Sequence, residues 1–479
     1  MADNIDKGLY QSGQPEFEVL KSDTEVIVDG AQVPVPEGIE IEMDEDGGAT
    51  LDFDPREALP EIEFYSNLAE VIDDTDLDSV SDELMSDFES DKTSRREWED
   101  AYINGLSLLG LKYDDRTNPF RGASGATHPL LAESATQFQA TAFKELLPSG
   151  GPVRTIIMGD ETPEKYARAG RVQEFMNFQL MNKMEDFTTE YDQMLFYLPL
   201  AGSTFKKVYY DELLERPVSK FVPPEDLVVN YMATDLTSCE RICHVINMSY
   251  NDFRKKQVSG FYKDIDILPS EYEANEVKRK YDDMDGTRPS YADKVVKLYE
   301  FHTSVDLVDF EDKDDEGEMT GIKIPYIVTI EEGSTKIVGI RRNYEKDDPK
   351  KIRKQYFVHY KFLPGLGFYG FGLIHMIGGL SRTATDILRQ LIDAGTLSNL
   401  PAGFKTRGIK IRDDAEPLQP GEFRDIDAPN GDLRNALIPL PYKEPSQTLY
   451  SLLGFIVQAG QRFASIADMQ VGEGNQNAP

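Results

Sequence analysis

The stretch Gly365 to Gly408 reads GLGFYGFGLIHMIGGLSRTATDILRQLIDAGTLSNLPAGFKTRG, and its reading decides the fold. Its first glycines let the backbone take positive φ and pass close to neighbouring chain. A helix follows. Ser381 is placed to cap it, and Ala384, Ile387, Leu388, Leu391 and Ile392 recur at the i, i+3, i+4, i+7, i+8 spacing that gives a helix one apolar face. Gly395 or Asn399 can close it, and Pro401 forbids further extension. The other face carries Arg382, Asp386, Arg389 and Asp393, each spaced to meet an opposite charge one turn away. The aromatic segment before it, Lys354 to Leu363, reads as a strand.

The same glycines raise an enzymatic alternative. Gly365, Gly367 and Gly370 match G-x-G-x-x-G between a strand and a helix, the pattern that cradles a dinucleotide pyrophosphate. The surroundings do not suit it. Phe368 and Tyr369 fill the intervening positions with bulk, Pro364 interrupts the step from strand to turn, and the helix is expected only from Ser381. The acid that holds a ribose should end a second strand, whereas Asp386 and Asp393 fall inside the helix. A glycine-rich lead-in to a long helix is the better reading, with a nucleotide-binding enzyme kept as the alternative. No Walker phosphate loop occurs elsewhere in the sequence.

With 479 residues the chain has room for two or three domains. Its net charge of −35 is concentrated at one end. The first 91 residues hold 28 Asp and Glu against Lys7, Lys21 and Arg56, which is 25 of the 35 excess negative charges. The remainder is only mildly acidic. A protein that grips DNA does so with Lys and Arg, so this composition argues against a phosphate-binding surface and suits a surface from which a duplex is repelled. A monomeric acidic scaffold or DNA mimic, carried by the first 91 residues, is therefore a further alternative.

Cys239 and Cys243 are too few for a disulfide framework and lack the second ligand pair of a structural zinc. His128, His244, His302, His359 and His375 show no metal-type spacing and no triad pattern, so no cofactor, metal or catalytic residue is expected. The N-terminus lacks the basic and apolar parts of a signal peptide, and no apolar run approaches the ~20 residues of a membrane span. A soluble protein made in the cytoplasm is expected.

Along the chain, residues 1–91 read as an acidic arm. Ser94 is expected to cap a helix to about Gly110 carrying Trp98, the only tryptophan, as a core anchor. A second helix is expected from Pro129 to Leu147, then a short strand Val153–Met158. Thr162 followed by Pro163 marks the start of a helical stretch to about Tyr197, and its stripe of Val172, Phe175, Met176, Leu180 and Met184 reads as core. Strands are expected at Thr204–Tyr210, Val218–Val222, Leu227–Val229, Ile242–Met248, Val295–Val308 and Ile324–Arg342. A last helix runs from Ser446 to about Asp468.

Three blocks in this order, Asn118–Gly159, Leu198–Val229 and Gly367–Lys405, with Ile438–Gly474 similar too, resemble the portal proteins of tailed bacteriophages, closest to the large short-tailed-phage type. The resemblance implies an α+β fold with a mainly helical wing and stem and a small β-rich insertion, the clip. It implies a non-enzymatic head-to-tail connector: a ring of about twelve copies at one capsid vertex, assembled in the host bacterial cytoplasm and built into the virion. Double-stranded DNA passes through without sequence-specific binding. The implied partners are the terminase large subunit, major capsid and scaffolding proteins and a tail adaptor, with no membrane. Laid on this sequence, residues 1–91 are the arm, 92–261 a wing-like region, 262–364 the candidate clip, 365–407 the glycine-rich lead-in and candidate stem helix, and 408–479 a channel-loop and wing return with the last helix. Larger members continue into a helical crown where this sequence ends, so no crown is expected. Arg382, Asp386, Arg389 and Asp393 become candidate ring-interface or channel-facing residues.

Overall fold

A computed structural model describes residues 63–211, 214–272, 274–285, 294–313, 318–399 and 442–472, with eight short strands inside 25–52 and 403–439. It has two compact units, Met1–Phe64 and Tyr65–Pro479. The first contains two hairpins, β1 (Glu25–Val28) with β2 (Ala31–Pro34) and β3 (Glu40–Met43) with β4 (Ala49–Asp52).

The second unit begins inside the expected acidic arm, which corrects the boundary at 91. Helix α1 (Asp74–Ser94) buries Leu77, Ser81, Leu84, Phe88 and Asp91, a helical spacing that marks one packed face. Ser94 ends this helix rather than capping the next. Its hydroxyl donates to the Asp91 carbonyl at 2.6 Å, and α2 (Arg96–Leu106) follows almost at once.

Helix α3 (Leu130–Leu146) matches its expected span. Helix α4 (Pro163–Phe178) is capped as expected, the Thr162 hydroxyl accepting from Lys165 N–H with Pro163 in the first turn. It does not run on to Tyr197; a π-turn at Gln179–Lys183 separates it from α5 (Phe187–Ala201). The chain then enters two antiparallel sheets.

The first sheet has the order β13 (Phe357–Lys361), β5 (Ser203–Asp211), β6 (Arg216–Val222). The larger one is built on β10 (Lys294–Val305), flanked by β8 (Arg241–Ser249) and then β7 (Leu227–Val228) on one side. On the other side lie β11 (Ile324–Glu331) and β12 (Ile337–Arg342), and β9 (Ser270–Glu271) pairs with the start of β10. Helix α6 (Tyr250–Val258) follows a Ser249 cap, and α7 is Glu276–Asp285. These ladders join the expected insertion at 262–364 to earlier strands. Phe301 of β10 lies opposite Cys243 of β8, and Phe357 of β13 opposite Lys207 of β5, so the region is woven into the strands before it.

One face of the large sheet is covered by α1. The Phe88 ring lies 4.6 Å from Tyr299 and 6.3 Å from Phe301, while Arg241 bonds Asp87 and Asp91 at 2.7–2.8 Å. Helix α8 (Leu373–Asn399) starts eight residues earlier than expected. Ser381 is therefore no cap but a fully buried position inside the helix. Packing overrides the helix penalty of Gly378 and Gly379, since Ile374, Ile377 and Ala384 on either side are all buried. Short pairs β14 (Gly403–Lys405) with β17 (Leu437–Pro439) and β15 (Lys410–Ile411) with β16 (Ile426–Asp427) precede α9 (Gln447–Gly472).

Candidate functional site

The glycine run is where the core closes. A Cβ on Gly370 would stand 2.5 Å from the Gly202 carbonyl oxygen and 2.6 Å from that of Leu363; on Gly367 it would meet Tyr231 at 2.6 Å. Gly202 itself has φ +84°. These glycines bring backbone against backbone, so the space a pyrophosphate needs is filled by the chain. Trp98 seals the crossing, stacked on Tyr369 at 4.6 Å and donating its indole N–H to the Gly370 carbonyl at 3.3 Å.

Below it lies a fully buried cation that sequence reading did not single out. Arg95 donates to the carbonyls of Pro224, Leu227 and Glu225 at 2.8–2.9 Å and to the Tyr369 hydroxyl at 3.1 Å. It thereby ties the α1–α2 junction to the turn before β7. Neighbouring Glu225 is pushed up to about 8 by burial first and then by Asp226.

The four charges on α8 divide in two. Arg389 reaches off the helix, its Nε donating to the Ala126 carbonyl at 2.7 Å and its guanidinium meeting Asp114 at 2.8 Å. Asp393 is buried and accepts from the Ser124 N–H at 2.7 Å. Together they staple the 114–127 loop to the helix instead of pairing along it. Ser124 thus takes part through its backbone. Arg382 and Asp386 remain exposed, with no ion pair among the described residues.

The larger correction concerns α4. None of its residues is buried. Val172, Phe175 and Met176, expected as core, are exposed, Phe175 by 59%, while Met184 beyond the π-turn is buried. The segment expected as a strand at Val153–Met158 instead lies extended along α4. Asn177 accepts from the Val153 N–H at 2.9 Å and Gln173 from the Thr155 N–H at 3.3 Å. This arm adds Ile156 and Met158, about nine-tenths exposed, and the exposed cations Arg154, Arg168 and Arg171, which make no ion pair among the described residues. A second apolar surface belongs to α9. Its inner face packs Ile456 with Leu449 and Leu453 on Ala384 and Ile387 of α8, while Leu452, Phe455 and Phe463 point outward.

The buried histidines are held neutral. Burial drives His359 to about 3, and burial followed by Lys207 does the same to His244. Among the described residues no group of His, Cys, Asp and Glu is arranged to hold a metal, and no helix is long and apolar enough to cross a membrane.

In comparison with known families, a model described as the phage SU10 portal protein aligns with residues 173–463, more than half of the chain, from within α4 to within α9. No curated protein matches the sequence.

Proposed function

The chain belongs to the phage portal proteins of the SU10 type, and from that premise we propose that its α4 arm is one half of the contact that closes a ring of about twelve copies. Portal proteins are structural components of the virion, through which the genome is packaged and ejected. As a family they form oligomeric rings that meet capsid, terminase and tail. The finer assignments are ours. The ring takes the terminase large subunit, a tail adaptor, and major capsid and scaffolding proteins as partners, and passes double-stranded DNA without reading its sequence. Residues 92–261 form most of the wing, the sheet-forming region 262–364 serves as the clip, and α8 is the stem helix, with Arg382 and Asp386 facing a neighbour or the channel. No catalytic step is assigned to the chain.

The observation that carries the interface is the exposure of α4. Short helices in water are stabilised chiefly by packing an apolar face, and a contiguous exposed apolar surface of this kind marks an interaction site. A ring needs a contact whose two sides differ. Among the described residues, the arm and the outer face of α9 are two different apolar surfaces left exposed on one chain. Replacing Phe175 and Phe178 together by serine tests this in sedimentation velocity. The account expects loss of the ring with subunit stability unchanged to within about 0.5 kcal/mol, as for surface substitutions. Rings that form as before would place the contact elsewhere.

A further inference from the structure

Helix α9 carries almost no charge. Between Gln447 and Ala464 the one charged residue is Arg462, in a chain of which 29% is charged. A helix that shields a core from water carries charges on its outer face, whereas a helix without them is covered on both sides. The inner side is accounted for. Ile456 packs with Leu449 and Leu453 against Ala384 and Ile387 of α8, and Gly460 meets α3 so closely that a Cβ there would stand 2.6 Å from Leu130 Cδ2.

The outer side has no such cover. Leu452, Phe455 and Phe463 are exposed, Phe455 by 69%, and with half-buried Ala459 they stand at i, i+3, i+7 and i+11, one continuous helical stripe. The inner packing fixes this stripe as a rigid seat about 17 Å long, at ~1.5 Å per residue. A nucleic acid or an acidic peptide would meet a single cation there. No helix among the described residues is long and apolar enough to cross a membrane. What the stripe offers is a seat for a second apolar helix.

The chain itself supplies such a helix. On α4, Val172, Phe175 and Met176 are exposed at i, i+3 and i+4, and two helices with stripes of this kind pack ridge into groove. Phe175 and Phe178 leave about 100 Å² of ring bare each, as do Phe455 and Phe463. Two rings on each side thus supply roughly a quarter of the ~800 Å² that one partner buries in a stable interface. Val172 and Met176 add to one side and Leu452 to the other. Both surfaces are bare in one chain, so the arm does not cover its own α9. Symmetry decides among the pairings between copies. Contact of α9 with α9, or of arm with arm, is isologous and closes at two copies with the other surface still bare. Contact of arm with α9 uses both and propagates head to tail.

We infer that the outer face of α9 is the seat for the α4 arm of the neighbouring copy, with Phe455 and Phe175 as aromatic anchors near its centre. The inference rests on the ring proposed above and names the surface that the arm meets.

A photo-reactive benzoylphenylalanine in place of Phe455 tests it in the full chain. Unlabelled and isotope-labelled protein are mixed before assembly, irradiated and digested, and the cross-linked peptides are read by mass spectrometry. Cross-links should join the two isotopes and end within residues 154–178. Phe455→Asp should keep the wild-type thermal midpoint, because the ring is exposed, and should raise the concentration needed for assembly by about tenfold or more, as loss of an interface anchor does. Rings whose cross-links never join the two isotopes, or end in another segment of the neighbour, overturn this pairing and leave the ring itself standing. So do rings that Phe455→Asp forms as readily as the wild type. A wild-type chain that forms no ring overturns both.

Discussion

Replacing Gly370 by alanine tests how the glycine run works. The new methyl carbon would lie 2.5 Å from the Gly202 carbonyl oxygen and 2.6 Å from that of Leu363. Carbon and oxygen ordinarily approach to about 3.3 Å, so the two carbonyls must withdraw by about 0.7–0.8 Å. Both belong to backbone in the core, where rotation of a side chain brings no relief. Overpacking of this kind costs about 1–3 kcal/mol. The shift also strains the bond from Gly370 N–H to Ser203 Oγ at 2.7 Å and the one from Trp98 to the Gly370 carbonyl at 3.3 Å. At about 1 kcal/mol each the total comes to roughly 3–5 kcal/mol. Gly379 is the matched control: nothing lies within 4 Å of its Cβ position, and alanine there should stabilise α8 by about 0.5–1 kcal/mol. Denaturant unfolding followed by the fluorescence of Trp98, the chain's single tryptophan, reports the same crossing. The two substitutions should move the midpoint in opposite directions. A Gly370→Ala protein that unfolds with the wild type while losing affinity for a nucleotide would refute this account and restore the phosphate-cradle reading.

Other substitutions separate the staples from the exposed charges and probe the buried acid. Asp393→Ala should destabilise by about 1–3 kcal/mol by leaving the Ser124 N–H buried without its acceptor, whereas Asp386→Ala should stay within about 0.5 kcal/mol; chemical denaturation distinguishes them. Glu225 has an ordinary value of 4.5 and a folded value of about 8, so the folded state binds the extra proton between these limits. Its contribution is therefore fully present below about 4.5 and lost as pH rises through about 8, since stability falls wherever the folded state holds more protons. Glu225→Gln should gain on the wild type in thermal midpoint as pH rises from about 6 to about 9, and a constant difference across that range would contradict the assignment.

Local signals in the sequence located much of the fold. The Thr162-Pro163 start, the two strands of the β5–β6 hairpin, the apolar spacing of α8 and the existence of the last helix all follow from rules that act within a few residues. What failed was long-range. The 3.6-residue spacing of Leu77, Leu84 and Phe88 was present in the acidic region, but charge density outweighed it, because a helix with one packed face and one acidic face has the composition of a disordered arm. The start of α8 was missed because Gly378 and Gly379 look like a breaker until the surrounding packing is known. Pairing of β8 with β10 joins residues some fifty positions apart, which no local pattern encodes.

The candidate interface was legible as chemistry and misread as location. Phe175, Met176 and Val172 have the same spacing whether they face a core or a second chain, so periodicity cannot separate the two. On α8, alternating signs at Arg389 and Asp393 suggested pairing along the helix, but the 114–127 loop offers closer partners: a carboxylate at Asp114, carbonyls and a backbone N–H. Arg95 offered one local signal, Glu99 four residues on, which it meets at 3.5 Å. Its hydrogen-bond partners, three backbone carbonyls and a hydroxyl, are brought together only by the fold.

The most direct test of the central claim is the mass and symmetry of the purified full chain, by native mass spectrometry together with negative-stain class averages. The account predicts a closed ring of about a dozen subunits around a central hole, as heterologous contacts that close require. A stable monomer at assembly concentrations, with the α4 arm still exposed, would contradict it.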